Sequence, residues 1–302
     1  MADRPRRSVT PRRQPLVPWV PPMHSGSRPV DGGALTGISE AEAARIASTD
    51  PIAARYLRPL VGADGQRPGS EEFCFWLTDA RPQDLAASPE LQRRIELVRD
   101  YRTKSKQERV RQGASRPERF LELRQPADSY LVSATRVADT SLYVPTVAVP
   151  GSFIARNSVH TVDSTDPLVV GVMNSRLYRL WAQASSPSSG GGQKLPPSLV
   201  YNTFPFPELS KKERKEFEMA VKFLMMSRTH HMETTMDALY SDPDKMPEQL
   251  KTAHQALDAV VANAFGLEEE WSDEDALDVL YERYESLVTG SGDEPPSEPF
   301  AA

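Results

Sequence analysis

The chain has 302 residues, 26% of them charged, and a formal net charge of -6 at pH 7. That length suits two domains, or one core with long tails. The mean hydropathy is -0.50, and no apolar run approaches the roughly 18 residues that span a bilayer, which argues against a membrane protein. The single cysteine, Cys74, excludes a disulfide framework and a Cys-rich zinc site, and makes a reducing, cytoplasmic setting the default expectation.

The charge is unevenly distributed along the chain. Residues 1–137 contain 23 Lys and Arg against 17 Asp and Glu, whereas residues 138–302 contain 13 against 25. A basic first half and an acidic second half suggest that the two halves meet different partners.

The N-terminal part predicts an irregular segment, a short helix and a strand. Residues 1–37 are rich in Pro, Gly and Arg, so little regular structure is expected there. Ser39 and Glu42 have the spacing of a capping box and predict a helix that ends before Asp50. The aromatic stretch EEFCFWLTD at 71–79 predicts a strand.

A longer helix is predicted to begin at Ser88, with Ser as the cap and Pro89 at the first helical position. Its apolar residues Leu91, Ile95 and Val98 follow helical spacing. One side of this helix is therefore expected to face a core.

The pattern changes to short β-branched and aromatic runs over residues 130–163, punctuated by Pro145, Pro150 and Gly151. Such runs predict a small, irregular sheet.

One helix is then predicted from Asp166 through Trp181, and a loop follows it. The loop contains SSPSSGGGQKLPPS at 185–198, and its three consecutive glycines suggest flexibility. The apolar stretch LVYNTFPFP at 199–207 comes next.

The remainder of the chain predicts helices separated by turn signals. Ser210 and Glu213 form a second capping box, and Gly266 is placed to end a later helix. The predicted helices begin at Ser210, Met232, Pro247 and Ser272.

These elements predict an α+β protein with four segments. A basic, largely irregular segment over 1–37 precedes a small, irregular mixed α/β domain over 38–204, a helical bundle over 205–288, and a disordered tail over 289–302.

No catalytic, metal or cofactor motif is recognisable in the sequence. It lacks GxGxxG and GxxxxGK[ST], so no phosphate cradle is predicted. The adjacent His230 and His231 are interpreted as a solvated pair, and His254 as a partly buried helix residue. The acidic residues of 268–275 lack EF-hand spacing and are interpreted as a solvated loop and helix start.

The basic segment from Arg93 to Arg136 carries more information. It holds 12 Lys and Arg against 6 Asp and Glu, partly on the helix that begins at Ser88. Long cationic side chains on a rigid support suit contacts to DNA phosphates, although a solvated helix face would look much the same. The candidate phosphate-binding residues are Arg93, Arg94, Arg99, Arg102, Lys104, Lys106, Arg109 and Arg111.

Six segments, in order, resemble the C-terminal, non-catalytic part of single-chain type IIL (Mme-like, type IIG) restriction–modification enzymes. The resemblance runs from about residue 20 to residue 288. The segments are PPMHSGSRPVDGG (21–33), EEFCFWL (71–77), VRDYRTKSK (98–106), GVMNSRLYRLW (171–181), LVYNTFPFP (199–207) and ALYSDPDKMPEQLKTAHQALDAVV (238–261).

The resemblance implies a target recognition domain followed by a helical domain of an adenine-specific DNA methyltransferase. Such enzymes depend on S-adenosylmethionine and are usually fused to a nuclease. The 302 residues contain neither the FxGxG cofactor motif nor the NPPY catalytic motif. We therefore expect no catalytic or cofactor-binding residues in this chain, a separate methyltransferase polypeptide that carries S-adenosylmethionine, and double-stranded DNA as a partner.

The resemblance also implies that the loop at 184–198 lies where related enzymes place residues that reach DNA bases, between a helix and a strand. The family commonly has a basic and aromatic GRL-x(3)-RYS-like stretch there, from which this loop departs. Gln and Lys suit base reading in the major groove, and their replacement is expected to leave the fold intact. The candidate base-reading residues are Arg136, Asn157, His160, Asn174, Arg176, Arg179, Gln193 and Lys194.

Two functions are compatible with these sequence features. The first is a DNA sequence-recognition protein that works with a methyltransferase, which must flip adenine out of the duplex into a catalytic pocket. The second is a non-catalytic remnant, or a helical module that only mediates protein contacts. A neighbouring reading frame that encodes NPPY would favour the first.

Overall fold

A computed structural model describes residues 7–62, 72–186, 191–231 and 233–290. The α-helices are α1 (Glu40–Thr49), α2 (Pro51–Ala54), α3 (Pro82–Ala87), α4 (Pro89–Thr103), α5 (Glu108–Gln112), α6 (Pro167–Met173), α7 (Arg176–Ser185), α8 (Lys211–Thr229), α9 (Met236–Tyr240), α10 (Glu248–Ala264) and α11 (Asp273–Gly290). The strands are β1 (Met23–Ser25), β2 (Ile38–Ser39), β3 (Leu57–Val61), β4 (Glu72–Phe75), β5 (Tyr130–Ala134), β6 (Arg136–Val137), β7 (Thr146–Val149), β8 (Ile154–Ala155), β9 (Val159–Val162) and β10 (Gln193–Lys194).

The strands form two small sheets and a ribbon. One sheet has the order β1-β9-β5-β7 and is antiparallel throughout. The other has the order β2-β4-β3-β8, in which only the β3–β8 pair is parallel. The ribbon pairs β10 with β6. Mixed α/β structure with small sheets, followed by helices, confirms the predicted α+β fold.

Two main hydrophobic cores lie on different parts of this scaffold. The smaller one packs α1 and α4 against the β2-β4-β3-β8 sheet, with Ile46, Phe75 and Leu91 fully buried. The larger one joins the other sheet, α6, α7 and the C-terminal helices. Its members include Leu16, Leu131, Trp181, Leu257 and Tyr284. The larger core therefore crosses residue 204, where the sequence predicts a domain boundary.

The N-terminal segment is irregular but firmly packed. Within residues 7–37 it is joined to other strands and loops by β1 and by isolated bridges at Ser27 and Arg28. Val17 and Val20 are buried in the larger core. Main-chain hydrogen bonds also join this segment to the stretch after the loop, such as the Leu16 N–H to the Asn202 carbonyl at 2.7 Å. Irregular backbone here is thus part of the scaffold.

The predicted capping signals are confirmed. Ser39 accepts from the Glu42 N–H, and Ser88 accepts from the Leu91 N–H. Ser210 and Glu213 form both bonds of a capping box at the start of α8. Caps of this kind depend on only a few adjacent residues, which is why the sequence locates them.

The single helix predicted from Asp166 to Trp181 is wrong, because the chain breaks between α6 and α7. Ser175 has an extended backbone, with φ -89° and ψ 160°, and its hydroxyl accepts from the Tyr178 N–H to cap α7. The Asn174 amide donates to the Val170 carbonyl at 2.9 Å. Asn and Ser side chains that bond nearby backbone groups compete with helix continuation.

The strand implied for 199–207 is also wrong. The Leu199 and Val200 N–H groups both donate to the Pro196 carbonyl, and the Asn202 N–H donates to the Pro197 carbonyl. These short-range bonds fold the backbone into turns. The N–H groups that make them are already paired, so they need no partner on a neighbouring strand.

The C-terminal helices differ from prediction at two ends. The short helix predicted to begin at Met232 begins at Met236, with Thr235 as its cap, and Met232 itself lies outside the described residues. The disordered tail predicted from 289 begins too early, because α11 continues through Gly290. Residues 291–302 lie outside the described part. Across the described residues, no helix combines the length and apolar character required to cross a membrane.

Candidate nucleic-acid interface

The basic helix α4 does not project all of its arginines into solvent. Arg94 is buried, and its guanidinium donates to Glu90 at 2.7 Å, to Glu42 at 2.5 Å and to the Ala34 carbonyl at 2.6 Å. The exposed position expected for Arg94 is therefore wrong. A desolvated arginine needs partners for its donors, and here those partners fix α4 against α1.

Arg102 is more completely buried, with 1% of its surface exposed. Its guanidinium donates only to backbone carbonyls, at distances from 2.6 to 3.1 Å. The five acceptors are the carbonyls of Pro29, Val30, Gly113, Arg116 and Arg119. Burial lowers the pKa of Arg102. The exposed position expected for this residue is also wrong, because the buried Arg102 side chain lies between two loops and bonds the carbonyls of both.

The two exposed arginines of α4 are paired on their own helix. Arg93 donates to Glu90 at 2.9 Å, and Arg99 donates to Glu96. Such ion pairs between residues three apart reduce the net positive charge of this face. All four predicted phosphate-binding arginines of α4 are therefore buried or paired.

Beyond α4 the positive charge is less compensated. Residues 104–124 contain 7 Lys and Arg against 3 Glu. Lys104, Lys106, Arg109 and Arg111 are all exposed. Arg109 lies 3.1 Å from Glu122, and Arg111 donates to the Ser105 and Lys106 carbonyls. The structure thus leaves the stronger cationic surface on the turn and short helix after α4.

The ribbon of β6 and β10 brings two candidate base-reading residues together. Lys194 pairs directly with Arg136, and both side chains are exposed. Residues paired across an antiparallel ribbon point to the same face. Arg136 donates from Nη1 to the Gly192 carbonyl at 2.6 Å, which ties its side chain to the loop. Two adjacent cations therefore share one exposed face.

Gly192 is required by this arrangement. Its φ is 98°, a region that favours glycine, and a Cβ atom would lie 2.6 Å from the Val137 carbonyl oxygen. At least one of the three consecutive glycines therefore shapes the ribbon. Residues 187–190, at the tip of the predicted flexible loop, lie outside the described residues.

Gln193 occupies the opposite, buried face of the ribbon, with 2% of its surface exposed. Its amide nitrogen donates to the carbonyls of Ala182 and Ser186, at 2.5 and 2.7 Å, and its amide oxygen accepts from Arg179. The expectation that Gln193 is a loop side chain without structural contacts is wrong. Both ends of the amide are occupied, so Gln193 closes the loop onto the end of α7.

Arg179 is fully buried beneath the same ribbon. Its Nε donates to the Ser141 carbonyl at 2.8 Å, and its Nη2 lies 3.3 Å from the carbonyls of Ala138 and Asp139. Burial lowers the pKa of Arg179 to about 10, so it stays charged at neutral pH. Arg179 lies below the exposed cations and holds the turn after β6.

His160, on β9, and Asn157, in the turn before it, flank the ribbon. His160 Nε2 lies 3.0 Å from the Leu195 carbonyl, and burial lowers the pKa of His160 to about 4. A neutral imidazole that meets a carbonyl must donate, so the proton is on Nε2. Asn157 is exposed in the turn between β8 and β9. Its neighbour Ser158 accepts from Thr135 through its carbonyl, which places this turn beside the ribbon.

Asn174 and Arg176 lie at the junction of the sheet and the helices, away from that face. Asn174 is buried and accepts from Arg228 at 2.7 Å. Arg176 is half-buried and lies 2.8 Å from Asp273 on α11. Their partners are structural, and the structure does not bring them to the ribbon.

The junction is held by a polar network that the sequence did not indicate. Arg228 donates to the Thr146 carbonyl on β7 and to the Tyr240 hydroxyl, each at 2.8 Å. The Tyr240 hydroxyl also lies 2.8 Å from His254 Nε2. His254 is fully buried, not partly buried as predicted, and stacks on Tyr143 with 3.8 Å between ring centroids. Such a network fixes the sheet against the C-terminal helices.

Further basic residues join the surface after α4 and were not selected from the sequence. Glu122 meets Arg28, Arg109 and Arg124 within 4 Å, so one carboxylate is shared by three cations. Arg116 is also exposed. The excess of Lys and Arg over Arg93–Arg136 already indicated most of this basic surface, but only the fold brings Arg28 to it.

The fold, a mixed α/β part with small sheets followed by helices, is that of a target recognition domain with a C-terminal helical domain. The model of the MmeI target recognition domain matches residues 3–208, and the model of the MmeI C-terminal domain matches residues 209–290. The chain belongs to the MmeI family. The resemblance drawn from the six sequence segments is thereby confirmed.

Two known proteins show the extent of the similarity. DNA methyltransferase A of Bacillus subtilis (strain 168) is 27% identical over 280 residues, which cover 93% of this chain and 31% of that protein. The solved structure of the type IIL restriction–modification enzyme MmeI in complex with DNA matches with a TM-score of 0.86 and 28% identity, over 94% of this chain and 37% of that one. The chain thus spans about a third of the length of either protein.

Proposed function

We propose that this chain provides DNA grip and sequence choice to an adenine-specific DNA methyltransferase. The observation that carries the proposal is the ribbon, because it places Arg136 and Lys194 side by side on an exposed face. Both cations can pair with guanine acceptors in the major groove. The buried contacts of Gln193, Arg179 and His160 hold that ribbon in place, so the two side chains start from a fixed backbone.

The grip on DNA comes from the surface that follows α4. Its exposed Lys104, Lys106, Arg109 and Arg111 are suited to phosphates, which position a protein on DNA without selecting a sequence. DNA binding by this chain is also supported by the DNA complex of its structural relative MmeI.

Catalysis, in this proposal, belongs to a methyltransferase polypeptide that is separate from the chain. Methylation of adenine requires a pocket for the flipped base and bound S-adenosylmethionine, and both are assigned to that partner. The 302 residues should therefore neither bind S-adenosylmethionine nor methylate DNA alone. Isothermal titration of the chain with S-adenosylmethionine tests this, and a saturable micromolar response would contradict it.

The test of sequence choice uses the reconstituted pair of proteins. The methylated sequence is first read from DNA modified by the pair, and competition between that cognate duplex and a scrambled duplex then measures preference. Replacing both ribbon cations (Arg136→Ala with Lys194→Ala) should reduce the preference by roughly 1–3 kcal/mol for each bidentate base pairing that is removed. Non-specific affinity should change much less.

The matched control replaces two exposed lysines on α8, Lys211 and Lys212, with Ala. It removes the same amount of charge far along the chain from the ribbon and should keep the preference. An unchanged preference in the ribbon variant would reject the assignment of base reading to Arg136 and Lys194.

A second candidate function, a helical protein-interaction module, is favoured by one feature of α8. Met219, Phe223 and Met226 are 72%, 38% and 64% exposed and have the spacing of one helix face. Exposed apolar residues that cluster in this way are typical of protein contacts. If contacts are the whole function, a Met219→Lys, Met226→Lys variant loses partner binding while the ribbon variant keeps every property of the wild type.

A further inference from the structure

We infer that the cleft beside Arg102 binds a phosphodiester of the DNA backbone, held by Arg116 and Arg119. This inference deepens the proposed function and rests on it. The cleft has a volume of about 430 Å³ and is open to solvent along one side. It is lined by Arg102, Gln112, Ser115, Arg116, Arg119 and Leu123, among others.

The buried Arg102 gives the cleft its polarity. Three carbonyls of the loop that borders the cleft, those of Gly113, Arg116 and Arg119, point inward to the Arg102 guanidinium. Because these carbonyl oxygens already accept hydrogen bonds from Arg102, their negative charge is partly neutralised at the border of the cleft. An anion in the cleft would therefore meet cationic side chains rather than the oxygen atoms of the loop.

Arg119 and Arg116 supply that charge. Arg119 is 41% exposed, and its Nε lies 3.8 Å from Glu118 Oε1, which is too far for a hydrogen bond. Among the described residues this buried Nε–H has no acceptor. Arg116 is exposed, and the structure gives its side chain no ion pair with a described residue. Two exposed arginine side chains that line one cleft suit an anionic oxygen.

Part of the wall of the cleft is apolar. Phe120 is buried, whereas Leu123 is 41% exposed beside the arginines. A free inorganic phosphate would gain nothing from Leu123, but a phosphodiester is flanked by deoxyribose carbons that can cover it. The combination of cations and exposed aliphatic surface therefore favours the nucleic-acid backbone over a free anion.

Arg102 ties the loop that borders the cleft to the N-terminal segment. Arg102 also bonds the carbonyls of Pro29 and Val30, each at 2.9 Å. Val30 has a φ of 46°, an unfavourable value for a β-branched residue. One buried side chain thus clamps a strained turn from the N-terminal segment to the loop that carries the cations, and makes Arg102 a positioning residue.

The test compares the full chain with its Arg116→Ala, Arg119→Ala variant. The probe is a labelled duplex of random sequence, and its affinity is measured by fluorescence anisotropy between about 50 and 200 mM salt. Removal of the one phosphate contact that both arginines make should flatten the slope of log K against log salt by about 0.9. The Lys211→Ala, Lys212→Ala variant is the control and should keep the wild-type slope.

Two further measurements separate the sources of binding. Leu123→Ser should weaken affinity for the duplex while leaving the salt slope unchanged, since it removes apolar contact without charge. Competition by inorganic phosphate at the ionic strength of a matched chloride control should not displace the duplex from wild type. Displacement at matched ionic strength would assign the cleft to a free anion and overturn the inference.

The outcomes distinguish this inference from the proposed function. If the wild-type chain does not bind the duplex under any salt condition, both are overturned. If it binds, and the Arg116→Ala, Arg119→Ala variant keeps the wild-type slope, only the cleft is rejected. We expect each variant to retain its α-helical content, because neither arginine side chain is buried. Circular dichroism of each variant measures that content.

Discussion

Two regions of the molecule, the turn around Arg102 and the ribbon above Arg179, use a buried arginine in similar ways. Each guanidinium is withdrawn from solvent and donates to carbonyls of a nearby loop. The loop bonded by Arg102 carries exposed cations, and the turn bonded by Arg179 directly follows β6, which carries the exposed Arg136. A buried arginine can thus organise a basic surface without contacting a ligand itself.

The two regions differ in what else holds them. Arg102 bonds five backbone carbonyls, so one side chain supplies most of the side-chain contacts to its loop, which main-chain bonds to Arg28 and Pro29 also hold. The ribbon is held by Arg179 together with Gln193 and His160, which close it from three directions. Replacing Arg102 alone is expected to destabilise the first region strongly. Each single substitution in the ribbon is expected to destabilise the second region only in part.

The largest expected effect is that of Arg102→Ala on stability. The substitution removes a donor from five carbonyls. Those of Pro29, Gly113 and Arg116 keep a main-chain donor, whereas those of Val30 and Arg119 have no other donor among the described residues. The lost bonds and the two unsatisfied groups should lower the free energy of unfolding by about 3–5 kcal/mol. Urea denaturation followed by circular dichroism measures the change. Arg99→Ala is the control on the same helix, and its exposed ion pair should change the free energy by less than about 0.5 kcal/mol.

An Arg102→Ala variant as stable as Arg99→Ala would remove the distinction between the two regions. It would mean that the loop is held by contacts other than the guanidinium.

The ribbon should respond to acid in a way that the Arg102 region does not. Burial holds the pKa of His160 at about 4, below the value of an exposed histidine. Stability from neutral His160 is therefore present above about pH 6.5 and is lost as the pH falls toward 4, to a total of about 3 kcal/mol at 1.36 kcal/mol per unit. His160→Gln should remove this part of the pH dependence of the unfolding free energy.

The measurement is urea denaturation of wild type and His160→Gln at several pH values between about 4 and 7. Parallel curves for the two proteins would show that protonation of His160 does not matter to the ribbon. His254, whose pKa burial also lowers, is retained in both proteins and so cancels in the comparison.

A pair of adjacent substitutions tests the two faces of the ribbon. Gln193→Ala should lower the free energy of unfolding by about 1–3 kcal/mol, because it leaves the Arg179 donor and the Ser186 carbonyl unpaired. The Ala182 carbonyl keeps the Ser186 N–H as its donor. Lys194→Ala, one residue along on the exposed face, should change it by less than about 0.5 kcal/mol. Thermal or urea unfolding distinguishes them, and equal effects would show that the faces are not distinct.

The smallest expected effect concerns the exposed arginines of α4. Arg93→Ala with Arg99→Ala should leave the salt slope of DNA binding nearly unchanged, because both residues are paired with glutamates. Lys104→Ala with Lys106→Ala should flatten it by up to about 1.8. If both variants flatten the slope equally, the exposed face of α4 contacts DNA as well.

Local signals in the sequence located much of this structure. The capping pairs at Ser39, Ser88 and Ser210 set helix starts, since a cap involves neighbouring residues only. The same local reasoning missed the break between α6 and α7, where Asn174 is also bonded by Arg228 from 54 residues away. It missed the ribbon for the same reason, since β6 and β10 are far apart in the chain.

The sequence by itself determined the α+β fold, the family and the presence of a basic segment, because these follow from periodicity, motif order and charge. Only the tertiary structure decided which cations are available. Arg102 and Arg111 look alike in the sequence, yet one is buried among carbonyls and the other is exposed. The difference arises because desolvation requires each buried donor to find an acceptor, and those acceptors come from segments as distant as Pro29.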